Sequence, residues 1–310
     1  MEILLNVDNL IKDFGSLRAL KGISFAIPRG QVVGLLGPNG AGKTTCIDIL
    51  LGTTTPDGGH VEYFGKDFFA NKQASLKRIN FASAYHNLQY RTSVKENLLV
   101  FAYLYEIEQP SRKIDQLMEY FEIEAIANRR FGDLSAGQRS RVNLIKSLMN
   151  DPELILMDEP TASLDPDIAD KTLSLIEGLR RDRELSILFT SHNMDEVSRI
   201  CDEVIFLDHG ELVARGTPLD LTKQIPDAEL ELSFEGQQTR VIRYLESEHH
   251  RYRFQRDFRV IVTTHERDIP KIIHDLTDLG TSITEIDVRK PDLEDVFLQI
   301  ARRTNVPQEN

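Results

Sequence analysis

Gly37-Pro38-Asn39-Gly40-Ala41-Gly42-Lys43-Thr44-Thr45 is the stretch on which the reading of this sequence turns. An apolar run over residues 32–36 leads into it, and a helical pattern over residues 43–51 follows. Glycines set between a strand and a helix let the backbone turn tightly and aim its N–H groups inward. The first turn of the helix adds unpaired N–H groups and the positive end of its dipole to the same anion site. Lys43 is then placed to reach the β- and γ-phosphates of a nucleoside triphosphate, and the Thr44 hydroxyl to ligate Mg²⁺. The competing reading, a chance glycine turn, requires strand, helix and Lys-Thr to fall into register by accident.

Downstream, the apolar run over residues 154–157 reads as a strand buried on both faces, and it ends in Asp158-Glu159-Pro160. Ligands of open parallel sheets sit beyond the carboxyl ends of the strands. There Asp158 can hold Mg²⁺ and Glu159 can polarise an attacking water. The strand over residues 187–189 ends in Thr190-Ser191-His192, which aims His192 toward the same phosphates. Between these elements, Leu134-Ser135-Ala136-Gly137-Gln138 carries capping-box spacing, so a helix is expected to start there and to offer a second anion site. Asp165-Pro166 opens a further helix, with proline at its first position.

Composition narrows the class. A chain of 310 residues, 41% hydrophobic and 28% charged, has room for one large globular domain and a smaller one. A net charge of −12 argues against a general nucleic-acid binder. The two cysteines, Cys46 and Cys201, lie far apart in no metal-ligand spacing and read as reduced thiols of a cytosolic protein. No run approaches the ~18 apolar residues of a membrane span, and the first residues carry no signal-peptide pattern. Any membrane role is therefore expected to come through a partner.

Elsewhere, short strands are expected over residues 3–7, 23–27, 61–65 and 79–82, with Lys12-Asp13-Phe14-Gly15 linking the first pair. Phe14 reads as a core aromatic beside a glycine turn, or as a surface on which a base could stack. Ser93 and Glu96 form a capping box for an amphipathic helix bearing Val94, Leu98, Phe101, Ala102 and Tyr105. A second helix carries Ile114, Leu117, Met118 and Phe121, and the pair reads as a helical subdomain over about residues 90–150. A hairpin is expected across Asp208-His209-Gly210. From residue 223 to 303 the pattern becomes a separate α+β unit with no chemical motif, followed by a tail over 304–310.

In order and spacing, the glycine loop, residues 134–138, 154–160 and 163–165, and Ser191-His192 resemble the Walker A, signature, Walker B, D-loop and switch-histidine elements of the ATP-binding cassette family. The likeness covers about residues 3–221. It implies an α/β fold of the P-loop NTPase class: a mixed, mainly parallel sheet core with an antiparallel β subdomain and a helical subdomain, occupying residues 1–222. It implies an ATPase with ATP and Mg²⁺ as ligands, working as a head-to-tail pair of cassettes, expected to be a homodimer. Phe14 becomes the surface under the adenine. Gly37, Pro38, Asn39, Gly40, Ala41, Gly42, Lys43, Thr44 and Thr45 cradle the phosphates, while Thr44 and Asp158 hold the metal. Glu159 and His192 act with Lys43 in catalysis, Ser135 and Gly137 contact the γ-phosphate across the dimer, and Gln138 and Asp165 are counted among the nucleotide-binding residues. Two departures stand out: Ala136 occupies a position where the family usually has glycine, and Ala84 falls where its Q-loop glutamine is expected, with His86 and Gln89 nearby. The segment over residues 289–297 is similar to the tail of ATP-binding subunits of type 2 exporters. That likeness implies separate transmembrane permease subunits and a place on the inner face of the cell membrane. A soluble ATPase of the same fold acting on ribosomes or DNA is the rival, disfavoured by the acidic balance, and a non-hydrolysing ATP-binding module is disfavoured by Asp158-Glu159.

Overall fold

A computed structural model describes residues 2–83, 88–225 and 227–304. The chain divides into two compact units, Met1–Pro218 and Leu219–Asn310. The first runs β1 (Ile3–Phe14), β2 (Leu17–Pro28), β3 (Val32–Leu36), α1 (Lys43–Leu50), β4 (Gly58–Tyr63), β5 (Lys66–Asp67), α2 (Lys72–Leu76) and β6 (Ile79–Ser83). It continues with α3 (Val94–Leu104), α4 (Pro110–Tyr120), α5 (Ala136–Ser147), β7 (Leu154–Asp158), α6 (Pro166–Arg183), β8 (Ser186–Thr190), α7 (Met194–Ile200), β9 (Glu203–Asp208) and β10 (Glu211–Gly216).

Its main sheet has the order β10-β9-β3-β8-β7-β6. All its pairings are parallel except β9 with β10. Strands β3 and β8 are buried along their whole length and β7 along all but its last residue, the signature of a parallel sheet covered on both faces. A second, antiparallel sheet has the order β2-β1-β4-β5. Its inward side chains, among them Leu5, Val7, Phe25 and Val61, share one core with Cys46, Ile47, Ile49 and Leu50 of α1 and with Val33 and Leu35 of β3. The helix that follows the glycine loop is thus gripped by both sheets. Cys46 and Cys201 are both buried and unpaired, and burial pushes the Cys46 thiol up to about 12.

The structure differs from the sequence reading at the first hairpin. Strands β1 and β2 are each 12 residues long, because backbone pairing continues beyond the apolar core to Asp13↔Arg18 and Phe14↔Leu17. Repeated register shifts break the alternation that would have revealed this length. Phe14 is therefore the end of a strand rather than part of a linking turn.

The two amphipathic helices follow their periodicity. The Ser93–Glu96 capping box is formed, and Val94, Leu98, Ala102, Ile114, Leu117, Met118 and Phe121 are buried. Tyr103, in contrast, points outward and is 67% exposed.

After α8 (Pro218–Thr222), the second unit runs β11 (Asp227–Glu235), α9 (Gln238–Ser247), β12 (Arg251–Arg256), β13 (Arg259–His265), α10 (Ile269–Asp278), β14 (Ser282–Arg289) and α11 (Leu293–Thr304). Its antiparallel sheet, β12-β13-β11-β14, has the split βαβ arrangement. Leu230, Leu232, Phe234, Val260 and Val262 pack on Val241, Leu245, Ile272 and Leu276. Alternate residues on the other face pair across strands, Glu229 with Arg253 at 2.9 Å and Glu231 with Arg259. Among the described residues no helix is long and apolar enough to cross a membrane.

Candidate active site

The carboxyl ends of β3, β8 and β7 lie side by side, because β3 pairs with β8 and β8 with β7. Each end carries one part of the expected site. The first is the glycine loop, whose shape depends on its glycines. Gly37 adopts φ +149, and a Cβ there would lie 2.0 Å from the Leu207 carbonyl oxygen. Gly42 adopts φ +109, where a Cβ would lie 2.7 Å from the Ala19 carbonyl oxygen. At Gly40, φ is +81 and a Cβ would meet nothing within 4 Å. The loop is held from behind by close backbone packing and is open in front, as a phosphate cradle must be.

Lys43 is half-buried and donates to the Gly37 and Pro38 carbonyls at 2.6 and 3.0 Å. Burial pulls its pKa down, opposed by the carboxylates of Glu159 and Asp158. An anion in the cradle would restore the preference for the charged ammonium.

The second part is set by register. Asp158 of β7 lies opposite Thr190 of β8, and the Thr190 hydroxyl donates to Asp158 Oδ1 at 2.7 Å. The next residue, Glu159, takes a left-handed backbone at φ 50. Its N–H donates to the Thr190 carbonyl and hydroxyl oxygens, each at 3.1 Å. A non-glycine residue held at positive φ is a strained position of the kind found at functional sites. Two residues past the end of β8, His192 Nε2 lies 2.5 Å from Glu159 Oε1.

These parts converge on a cavity of about 750 Å³ whose lining includes Phe14, Gly40, Lys43, Thr44, Asp158, Glu159 and His192. Asn39, Gly42 and Thr45 also face it. Phe14 stands at the rim, 52% exposed, with the Lys12 ammonium 5.3 Å from its ring centre. Thr44 and Asp158 bring oxygen donors, the class a hard divalent cation takes. Among the described residues no cluster of three or more His, Cys, Asp and Glu could hold a metal by itself, so Mg²⁺ here would depend on a hydroxyl, one carboxylate and the ligand's own oxygens.

Ser135, Gly137, Gln138 and Asp165 are not part of this lining. Ser135 caps α5 and Asp165 precedes α6, and both are exposed. Ala84 and His86 lie outside the described residues. Gln89 is exposed and its backbone pairs with the Asn97 side chain. The sequence reading missed His209, which lines the cavity from the β9–β10 turn. It also gave no role to Thr190, although a threonine one residue past an apolar strand was a legible signal.

Comparison with known proteins gives the family. A family model described as ABC transporter matches residues 20–162. The chain is 31% identical over 304 residues to the Nod factor export ATP-binding protein I of Rhizobium sp. (strain N33), covering 97% of this chain and 98% of that one. It is 29% identical to the bacitracin transport ATP-binding protein BcrA of Bacillus licheniformis, covering 97% and 98%. It is 28% identical to the linearmycin resistance ATP-binding protein LnrL of Bacillus subtilis (strain 168), covering 97% and 99%. Among solved structures, an ATP-binding cassette of an ABC transporter in its ADP conformation superposes with a TM-score of 0.66 at 26% identity, covering 73% of this chain and 95% of that one.

Proposed function

We infer the working cycle of this protein from one premise: the chain belongs to the ABC transporter family and is one of its ATP-hydrolysing, ATP-binding subunits. Lys43 and the backbone N–H groups of the glycine loop, Pro38 excepted, hold the phosphates, and Phe14 lies under the base. Thr44 and Asp158 are the residues that would hold Mg²⁺, which when bound neutralises charge on the phosphate oxygens. Thr190 keeps Asp158 in place. Glu159 orients water and takes up its proton, and His192 steadies the Glu159 carboxylate and reaches toward the terminal phosphate. The convergence of Lys43, Thr44, Asp158, Glu159 and His192 on one cavity is the observation that supports this assignment.

The exposed placement of Ser135 and Asp165, outside their own chain's cavity, supports a second copy as their target. In this proposal two chains pair head-to-tail as a homodimer, with Ser135, Gly137, Gln138 and Asp165 of one completing the site of the other. Export through separate permease subunits is the outcome of the cycle, with this chain on the cytoplasmic face of the membrane. Two observations support it. The relatives are named for export, transport and resistance, which sets aside a ribosome- or DNA-directed ATPase. On α3, Val100, Tyr103 and Leu104 are 57%, 67% and 68% exposed at helical spacing, an apolar face suited to a partner.

Glu159→Gln tests the catalytic assignment. Turnover should fall by about 10²–10⁴-fold with ATP affinity retained, and the ATP-loaded variant should accumulate as a dimer in sedimentation. Undiminished hydrolysis would remove Glu159 from the mechanism, and an ATP-loaded monomer would remove the dimer.

A further inference from the structure

Glu196, in the first turn of α7, is a carboxylate that the mechanism above does not use, yet it is only 7% exposed. One of its oxygens, Oε2, accepts two hydrogen bonds, from the Thr161 hydroxyl at 2.7 Å and from the Ser191 hydroxyl at 2.8 Å. Both donors are buried as well, at 5% and 8% exposure. Ser191 immediately precedes His192, and Thr161 lies two residues beyond Glu159. The Ser191 oxygen in turn accepts from the N–H of Asn193 at 3.0 Å, which fixes the turn carrying His192.

The three residues at the end of β8 therefore each hold the β7 end by a different route. Thr190 bonds Asp158, Ser191 reaches Thr161 through Glu196, and His192 meets Glu159. Burying a carboxylate is costly unless hydrogen bonds satisfy it. A side chain of that cost, joining the two segments that carry the reacting pair, has a geometric role that packing alone does not explain.

We propose that Glu196 is a positioning residue for ATP hydrolysis: through Ser191 and Thr161 it sets the separation of His192 and Glu159. The proposal rests on the ATPase reading of this site. Glu196 touches no reacting atom; it acts through the His192–Glu159 contact, so its loss should impair kcat and leave KM near its wild-type value.

The experiment is steady-state ATP hydrolysis by the full chain, with a double-mutant cycle between Glu196→Ala and His192→Ala. In the wild-type background Glu196→Ala should lower kcat by about 10–100-fold, the scale of a misplaced catalytic group. On the His192→Ala background the further loss should be less than about 3-fold, because groups acting as one unit are not additive. Rescue distinguishes geometry from charge. The amide oxygen of Glu196→Gln can accept both hydroxyls from the same place and should stay within about 3-fold of wild type, whereas Glu196→Asp, one methylene short, should resemble alanine. Should the alanine variant fail to fold, the Gln–Asp contrast decides by itself. Equal losses in both backgrounds, a loss confined to KM, or a Gln variant no better than Asp would each overturn the proposal. A wild-type chain without any ATPase activity would overturn the ATPase reading and this proposal with it, whereas an active wild type and an unimpaired Glu196→Ala would overturn this proposal alone.

Discussion

Two helix N-termini in this chain were both legible as anion sites, and they are built in opposite ways. Helix α1 begins after Gly42, which has a left-handed backbone and gives no side-chain cap, and no acidic residue occupies its first turn. Helix α5 begins after Ser135 with a complete capping box: the Ser135 oxygen accepts from Gln138 N–H at 3.3 Å, and Gln138 Oε1 accepts from Ser135 N–H at 3.1 Å. The first end leaves N–H groups for a ligand. The second engages the Gln138 and Ser135 N–H groups in its own capping box, so a phosphate taking the Gln138 donor must displace or share the long Ser135 bond. Gly137 fits the same distinction. A Cβ on it would lie 2.6 Å from Ile168 Cγ2 of α6, so this glycine already has a packing reason within its own chain. One terminus has no side-chain cap of its own; the other is closed by its own capping box.

The largest effect expected from this contrast is at α1. Lys43→Ala removes the charge that complements the open N–H groups and the donor to the Gly37 and Pro38 carbonyls. Turnover should fall by about 10²–10³-fold, as when a preorganised donor to developing charge is lost, with weaker ATP binding measured directly by titration. Retained affinity and rate would mean that backbone N–H groups alone make the receptor, and the contrast with α5 would lose its chemical content.

How far the sequence could carry this reading follows from where the information lies. The glycine loop, Asp158-Glu159 and His192 were legible because each is a local pattern with its own mechanics, set at the end of an apolar strand. The capping boxes at Ser93 and Ser135 were legible for the same reason. What was hidden depends on register between distant segments. Thr190 meets Asp158 only because β7 and β8 pair as they do, and Glu196 joins Thr161, 35 residues away, to Ser191. His209 reaches the cavity because the hairpin backs onto the loop, Gly210 N–H donating to the Ala41 carbonyl at 3.0 Å. In the second unit, α9 and β12 carry weak local patterns for a different reason. Helix α9 buries only Val241, Tyr244 and Leu245 among polar neighbours, and β12 alternates arginines with Tyr252 and Phe254, so it reads as a charged loop until strand pairing is known.

A smaller effect belongs to the far end of α5. Lys146 is largely removed from water there, its ammonium donating to the Phe81 carbonyl at 2.9 Å, and burial lowers its pKa to about 8 from 10.5. The unfolded chain then holds this proton more tightly than the folded one. Below about pH 8 the lysine is charged in both states and the folded protein carries the full penalty; between about pH 8 and 10.5 the penalty is relieved and stability rises. Relative to Lys146→Met, wild type should gain up to about 3 kcal/mol across that window, a ceiling set by 1.36 kcal/mol per pKa unit. Denaturant melts of both proteins from pH 7 to 10.5 would read it. Parallel pH slopes would show that α5 is held to β6 by a lysine that titrates as if in water.

The smallest effect is at the other end of α5, and it decides whether the second terminus is recruited at all. Ser135→Ala removes the cap and should cost about 1 kcal/mol of stability, read in the same denaturant melts. That cost follows from the capping box whether or not nucleotide ever arrives. The discriminating measurement is ATP turnover against protein concentration. If Ser135 completes the site of a second copy, the variant should need more protein to reach half-maximal specific activity, beyond what a control of equal stability loss requires, such as Ser93→Ala at the start of α3, whose capping box is also complete. If Ser135→Ala and Ser93→Ala shift that midpoint equally, α5 is a well-capped helix and nothing more, and the two N-termini differ in kind rather than in timing.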